Sequence, residues 1–134
     1  MESKASPPRT ARIVAAAFFA ALIVKVFFFD LMIAEGRSMI PAIEPGTVIA
    51  INRASFGLRN PLTGSYLVRW GMPKDGEIVI FPSPDGNIAV KRCFGPFSAD
   101  RFIALGDNAA ESYDSRQYGP MPIGIILGKV VGKR

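Results

Sequence analysis

The stretch Glu77-Ile78-Val79-Ile80-Phe81-Pro82-Ser83-Pro84-Asp85-Gly86-Asn87-Ile88-Ala89-Val90-Lys91-Arg92-Cys93-Phe94 holds two short apolar runs around a core of turn formers. Runs of five to seven residues rich in Val, Ile and Phe read as strands, and Pro82-Ser83-Pro84-Asp85-Gly86-Asn87 between them supplies a tight reversal, so a hairpin is expected. Outward from it the pattern repeats: Thr47-Val48-Ile49-Ala50-Ile51, Arg101-Phe102-Ile103-Ala104-Leu105 and Ile125-Ile126-Leu127-Gly128-Lys129-Val130-Val131 read as further strands. Nothing after Asp30 keeps a 3.6-residue period for three turns, so the expected fold class is mainly β. Residues 60–73 have no clear period and read as a long loop carrying Trp70, the single tryptophan.

The N-terminal part is different. Residues 13–24 are uninterrupted apolar sequence, Lys25 interrupts, and Val26-Phe27-Phe28-Phe29 resumes before Asp30. Seventeen residues make roughly 26 Å of helix at ~1.5 Å rise, the short end of what spans a bilayer, and Lys25 can reach the headgroups from near one end. The expected organisation is a basic tail over 1–12, a transmembrane helix over 13–29 and an extracytoplasmic β-rich domain over 30–134. Lys4, Arg9 and Arg12 ahead of the apolar run place the N-terminus in the cytoplasm by the positive-inside rule. A cleaved secretory signal is the competing reading, but Met32 and Ala34 do not make the small-x-small pair such a site needs.

Of the net charge of +5, Lys4, Arg9, Arg12 and Lys25 against Glu2 leave +3 before residue 30. The remainder is only mildly basic and has no Lys/Arg block, which argues against nucleic acid as a partner. Cys93 is the lone cysteine and histidine is absent, so neither a disulfide framework nor a zinc site can be drawn, and no cofactor is called for.

Ser38, in Gly36-Arg37-Ser38-Met39-Ile40-Pro41, follows the apolar segment, and Lys91 lies on the second strand of the hairpin. A serine nucleophile needs a base, and without imidazole the side chain best suited near neutral pH is a neutral lysine amine. An exposed lysine, with an ordinary pKa of ~10.4, holds its proton and cannot serve. A base at Lys91 therefore requires burial, and Val90, Cys93 and Phe94 beside it and Met39 beside Ser38 offer an apolar lining.

Three ordered blocks, Glu35-Gly36-Arg37-Ser38-Met39-Ile40-Pro41, Lys91-Arg92-Cys93-Phe94-Gly95 and Gly106-Asp107-Asn108-Ala109-Ala110-Glu111-Ser112-Tyr113-Asp114-Ser115-Arg116-Gln117-Tyr118-Gly119-Pro120, resemble the sequence boxes of type I signal peptidases. The resemblance implies a signal-peptidase-like, LexA-like β-sheet catalytic core with one N-terminal transmembrane helix. It implies Ser38 as the acylated nucleophile, Lys91 as general base, Ser112 as a hydroxyl that hydrogen-bonds and orients the amine, and Asp114 and Arg116 as an ion pair beside the site. Where some members supply an oxyanion hydroxyl two positions before the nucleophile, this chain has Gly36, so the Ser38 N–H must do more. Many members insert a large cap domain between the second and third blocks; here only residues 96–105 intervene, the pattern of a short form.

The resemblance also implies a substrate bound as an added strand, with small side chains one and three residues before the cut. The matching positions are Ala34, Met39, Ile43, Ile49, Ile80, Ile88 and Val90, each of which reads equally well as a core residue. The expected partners are signal peptides of preproteins and the lipid bilayer, with Tyr66, Leu67, Trp70 and Met72 as an interfacial foot unless Trp70 packs in the core. A specialised same-clan protease for one pilin- or conjugation-type precursor and an inactive membrane-tethered binding module are the alternative functions. A LexA-like self-cleaving protein fits less well, since it needs a further domain.

Overall fold

The structure, a computed structural model, describes residues 7–95 and 100–134. Lys4 and most of the basic tail, and residues 96–99 of the link between the second and third blocks, lie outside the described residues. The chain opens with a helix, α1 (Arg9–Phe27), that starts one turn before the apolar run and stops two residues short of Phe29. Polar Arg9, Thr10 and Arg12 are compatible with helix, so the apolar run did not mark its beginning. Pro8 sits at the N-cap, where its fixed φ and missing N–H cost nothing. The end is set by the sheet: Phe28 O accepts from Arg53 N–H at 2.8 Å and Phe29 pairs with Asn52. None of the residues of α1 is buried, and it is long and apolar enough to cross a membrane.

Behind it stand nine strands among the described residues: β1 (Phe29–Ile33), β2 (Val48–Asn52), β3 (Gly57–Arg59), β4 (Tyr66–Arg69), β5 (Ile78–Pro82), β6 (Ile88–Phe94), β7 (Arg101–Leu105), β8 (Met121–Pro122) and β9 (Gly128–Lys133). Seven form one antiparallel sheet in the order β1-β2-β9-β5-β6-β7-β8, so the fold is mainly β with an N-terminal apolar helix, as expected. The hairpin read from 77–94 is present, with Ile78 opposite Arg92, Val79 opposite Lys91 and Pro82 opposite Ile88.

Three expectations need correction. β1 occupies residues assigned in part to the membrane segment, because five exposed or half-exposed residues at a sheet edge lack a periodic signature. Residues 60–73 are not simply a loop: β4 pairs with β3 in a hairpin of its own. Contacts distant in sequence anchor that hairpin, since Tyr66 Oη donates to Ile126 O at 2.9 Å and Arg59 Nη1 donates to Gly124 O at 3.0 Å and to Ile126 O. Tyr66 thus belongs to the core margin, whereas Leu67, Trp70 and Met72 stay exposed and Trp70, 58 % exposed, is not a core residue. Finally, the last strand starts at Gly128, after a 3-10 turn over Ile123–Ile125. A Cβ at Gly128 would come within 2.7 Å of Ile51 Cγ2 and 2.9 Å of Asn52 O, a close passage of β9 over β2 that fixes where the strand can begin.

The interior divides into two clusters. Phe56, Val79, Phe81, Cys93, Phe102, Ala104, Ile123 and Ile126 form one; Ala34, Met39, Ile43, Ile49, Ile51 and Ile80 form the other. Strand β5 serves both, Val79 and Phe81 facing the first and Ile80 the second, through the two-residue alternation of an extended chain.

Gly57 has no room for a side chain: a Cβ there would lie 2.3 Å from Val68 O and 2.8 Å from Tyr66 Cδ1. Gly57→Ala is expected to lower the melting temperature by several degrees by prising β3 from β4, read by thermal unfolding in detergent; an unchanged Tm would contradict the described pairing.

Candidate active site

Ser38 lies in the turn after β1, half-buried, three residues ahead of Pro41. Lys91, 53 residues further on, projects from β6 and places Nζ 2.6 Å from Ser38 Oγ. Directly across the ladder is Val79, and the alternation of β6 puts Ala89 and Cys93 on the same face as Lys91. By the same alternation Val90 and Phe94 point to the opposite face, so of the residues expected beside Lys91 Cys93 shares its face, Val90 meets the cleft from the other face, and Phe94 does not line it. Lys91 is only 6 % exposed. Burial pushes its pKa below the ordinary lysine value; the carboxylates of Asp114 and Asp85 oppose that shift and Arg116 assists it.

The third block builds the floor beside this pair. Asp114, fully buried, caps the short helix α2 (Ser115–Tyr118), accepting from Arg116 N–H while Gln117 Oε1 accepts from Asp114 N–H. Its carboxylate also accepts from Gly106 N–H at 2.8 Å, from Ser112 Oγ at 2.6 Å and from Arg116 Nε at 2.9 Å, with Arg116 Nη2 on the other oxygen. Burial alone would raise its pKa, but Arg116, Ser112 and the two amides outweigh it and hold the carboxyl far below the usual range. The expected Asp114–Arg116 ion pair is therefore present.

The bond expected from Ser112 to the Lys91 amine is not formed. Ser112 Oγ gives its proton to Asp114, and among the described residues the one side-chain partner of Lys91 Nζ is Ser38. A fully ionised, buried carboxylate two residues away is the stronger acceptor for that proton.

A cleft of about 580 Å3 opens on the pair. Ala34, Met39, Ile43, Ile49, Ile88 and Val90, six of the expected substrate-binding positions, line it, as does Gly36, at which a side chain would meet open space. Ile80 does not: it faces the second cluster from an interior strand and is 4 % exposed. Residues 88–90 pair with β5 on one side only, since β7 takes up pairing from Arg92 onward, and β1 pairs with β2 alone. Two open strand edges thus bound one cleft.

Sequence reasoning passed over several residues here. A Cβ at Gly106 would sit 2.1 Å from Ser112 Oγ and 2.7 Å from Ser38 O, so that glycine lets the third block pack against the Ser38 turn. Asn108 donates its N–H to Ser38 O and its side chain to Arg37 O. Tyr113, Ser83 and Asp85 line the cleft. The signal for Gly106 and Asn108 was the Gly-Asp-Asn turn, legible as a turn and not as a contact with residue 38.

Comparison with known proteins identifies the family. The model of the family described as "Signal peptidase, peptidase S26" matches residues 8–96, a span that holds both Ser38 and Lys91. Signal peptidase I of Buchnera aphidicola subsp. Baizongia pistaciae is 37% identical over 87 residues, 60% of this chain and 28% of that protein. Its counterpart from Buchnera aphidicola subsp. Schizaphis graminum is 30% identical over 79 residues, 58% of this chain and 25% of that protein. Mitochondrial inner membrane protease subunit 1 of Schizosaccharomyces pombe is 29% identical over 126 residues, 80% of this chain and 74% of that protein. The chain spans about a quarter of the length of the two Buchnera relatives.

The depressed pKa of Asp114 has a consequence for stability. A carboxyl bound more tightly as the anion in the folded state stabilises the fold above its unfolded pKa of ~3.9, and that contribution is lost as pH falls toward the folded value. Melting temperature should therefore drop steeply below about pH 4. Asp114→Asn should be less stable at pH 7 and show a shallower acid limb; parallel limbs in a Tm series from pH 2 to 7 would place the acid sensitivity elsewhere.

Proposed function

The chain belongs to the signal peptidase family, peptidase S26, and from that premise we propose that it is a membrane-anchored serine endopeptidase cleaving signal peptides from exported preproteins after small-x-small sites. The observation that carries the proposal is the 2.6 Å approach of a buried lysine amine to Ser38 Oγ. In the proposed cycle neutral Lys91 takes the Ser38 proton as Oγ adds to the scissile carbonyl. The oxyanion is met by the Ser38 N–H, and the Lys91 ammonium then gives its proton to the departing amine. Water, deprotonated by the same amine, attacks the acyl-enzyme, and collapse returns that proton from Lys91 to Ser38 Oγ as the carboxylic acid product leaves and loses its own proton to solvent. Asp114 and Arg116 hold the floor of the site, and Ser112 reaches it through Asp114.

The cleft supports an extended substrate. Open edges on β1 and at residues 88–90 offer main-chain groups to an added strand, and the apolar side chains between them suit small residues. We assign α1 as the anchor, with the N-terminus cytoplasmic and the β domain on the outer face of the cytoplasmic membrane. The similarity of 80% of the chain to a mitochondrial inner membrane protease subunit fits equally the second reading, a specialised protease of the same clan that processes one pilin- or conjugation-type precursor. The inactive binding module draws no support from an amine desolvated against a serine hydroxyl, an arrangement that costs stability and has no use in passive binding.

The decisive experiment incubates the detergent-solubilised chain with a preprotein bearing Ala-x-Ala and maps the cut by mass spectrometry. Ser38→Ala and Lys91→Ala should each abolish cleavage, and the double variant should be scarcely worse than either, since nucleophile and base act as a unit. The rate should rise with pH along a limb centred below the ordinary lysine value of ~10.4, because the neutral amine is the active form. Independent multiplicative losses, or full turnover by Lys91→Arg, would remove Lys91 as base.

For the membrane, the exposed Leu67 on β4 and Trp70 and Met72 just after it are the proposed interfacial foot. With the chain reconstituted in bilayers, brominated acyl chains should quench the single tryptophan. Emission quenched by aqueous acrylamide and indifferent to bromine would show that Trp70 faces water instead.

A further inference from the structure

The turn that carries Ser38 is held from one side by a single residue. Asn108 N–H donates to Ser38 O at 2.8 Å, and Asn108 Nδ2 donates to Arg37 O at 3.1 Å. The two bonds grip consecutive peptide groups. The second matters more than its length suggests, because Arg37 C=O and Ser38 N–H are opposite ends of one peptide unit, and that unit is trans. In a planar trans peptide the two point in opposite directions, so whatever fixes the carbonyl aims the N–H. The Ser38 N–H itself donates to no acceptor among the described residues. The turn's own contribution to the Arg37 carbonyl is a longer bond from Ile40 N–H at 3.3 Å. Arg37 and Glu111, joined by an exposed ion pair at 3.0 Å, brace the same two segments from the solvent side.

We propose that Asn108 is a positioning residue for oxyanion stabilisation, its side-chain amide locking the Arg37–Ser38 peptide so that the Ser38 N–H faces the cleft. The inference rests on the dyad reading given above and deepens it. Two physical effects work together. Fixing the plane removes the reorganisation that a free peptide would need as charge develops, which is where a preorganised donor gains its advantage. Donation into the carbonyl also polarises the amide and makes its N–H a stronger donor. The need is acute in this chain because Gly36 brings no hydroxyl to the site, leaving the main chain to do the work. Asn108 touches neither substrate nor reacting atoms and acts through residue 38.

The test uses the full chain in detergent, with Asn108→Leu and the isosteric Asn108→Asp, both of which keep the main-chain bond to Ser38 O. Three quantities are measured: kcat and KM on an Ala-x-Ala preprotein, the affinity of a peptide aldehyde that forms a tetrahedral adduct on a serine hydroxyl, and the affinity of the cleaved signal peptide. Removing an oxyanion donor outright costs about 10²–10³ in rate, so misaiming one should lower kcat by roughly tenfold to a hundredfold. Aldehyde affinity should fall by a similar factor, while KM, product affinity and the midpoint of the pH limb stay within about twofold. A merely structural asparagine would instead move KM and product affinity together with kcat, or leave all of them alone, and either result overturns the inference. So does loss of the folded state in both variants. An active wild type with an unaffected Asn108→Leu variant removes this inference only; a wild type that neither cleaves nor captures the aldehyde removes the dyad reading, and this inference with it.

Discussion

In the role proposed for it, Lys91 must accept a proton near neutral pH and so has to be kept out of water, and that demand shapes the middle of this sheet. Lys91 stands on β6 opposite Val79 and flanked by Ala89 and Cys93, a position a hydrophobic residue would fill at lower cost. The cost has a sign. With a folded-state pKa below the ordinary value, the unfolded chain binds the proton more readily, so stability rises with pH between the two values and the penalty is fully present below the lower one. The rest of the domain must carry that burden at working pH, and the two apolar clusters on either side of β5 are the source of the surplus.

The second organising group is Asp114. A fully buried carboxylate is tolerable only when its lone pairs are met, and here the Arg116 guanidinium, the Ser112 hydroxyl and two main-chain amides meet them. Each donor ties a different piece of the third block: Gly106 at its start, Ser112 in its middle, and α2 at its end. Arg116 closes the ring by donating to Gly106 O at 3.1 Å. Folded on itself in this way, the block becomes rigid enough to brace another segment, and Asn108, projecting from it, grips the turn of Ser38. Lys91 comes from the hairpin and Ser38 from the turn after β1, and the block fixes the second of these.

How much of this was legible in the sequence follows from the range of each interaction. The 77–94 hairpin was readable because two period-2 runs and their turn are contiguous. That a lysine would partner Ser38 was readable from chemistry, since a chain without histidine leaves few bases for a serine, and the choice of Lys91 came from the resemblance of its block to the family's. The β3–β4 hairpin was not, because its strands are three and four residues long and its anchor is Ile126, 60 residues from Tyr66. Ser112 was expected on the amine and sits on Asp114, a competition between two acceptors that depends on burial and leaves no trace in residue spacing. Ile80 was expected in the cleft because the resemblance implied it, yet a residue on an interior strand shows which face it uses only once the strand order is known.

Open strand edges are ordinarily a hazard, since any extended chain can add to them. Here β1 and residues 88–90 leave two such edges facing one cleft. The proposed activity needs them open, so they cannot be covered by a further strand or blunted by proline within the run. What limits indiscriminate pairing lies at their ends: Arg37 with Glu111 at one end and Asp85 with Asn87 at the other. Charges placed there penalise long or apolar strands that would run past the cleft, and leave a short segment of small side chains as the cheapest occupant. The preference proposed for such a segment then rests on a gap with polar ends and on an apolar lining of Ala34, Met39, Ile43 and Ile49.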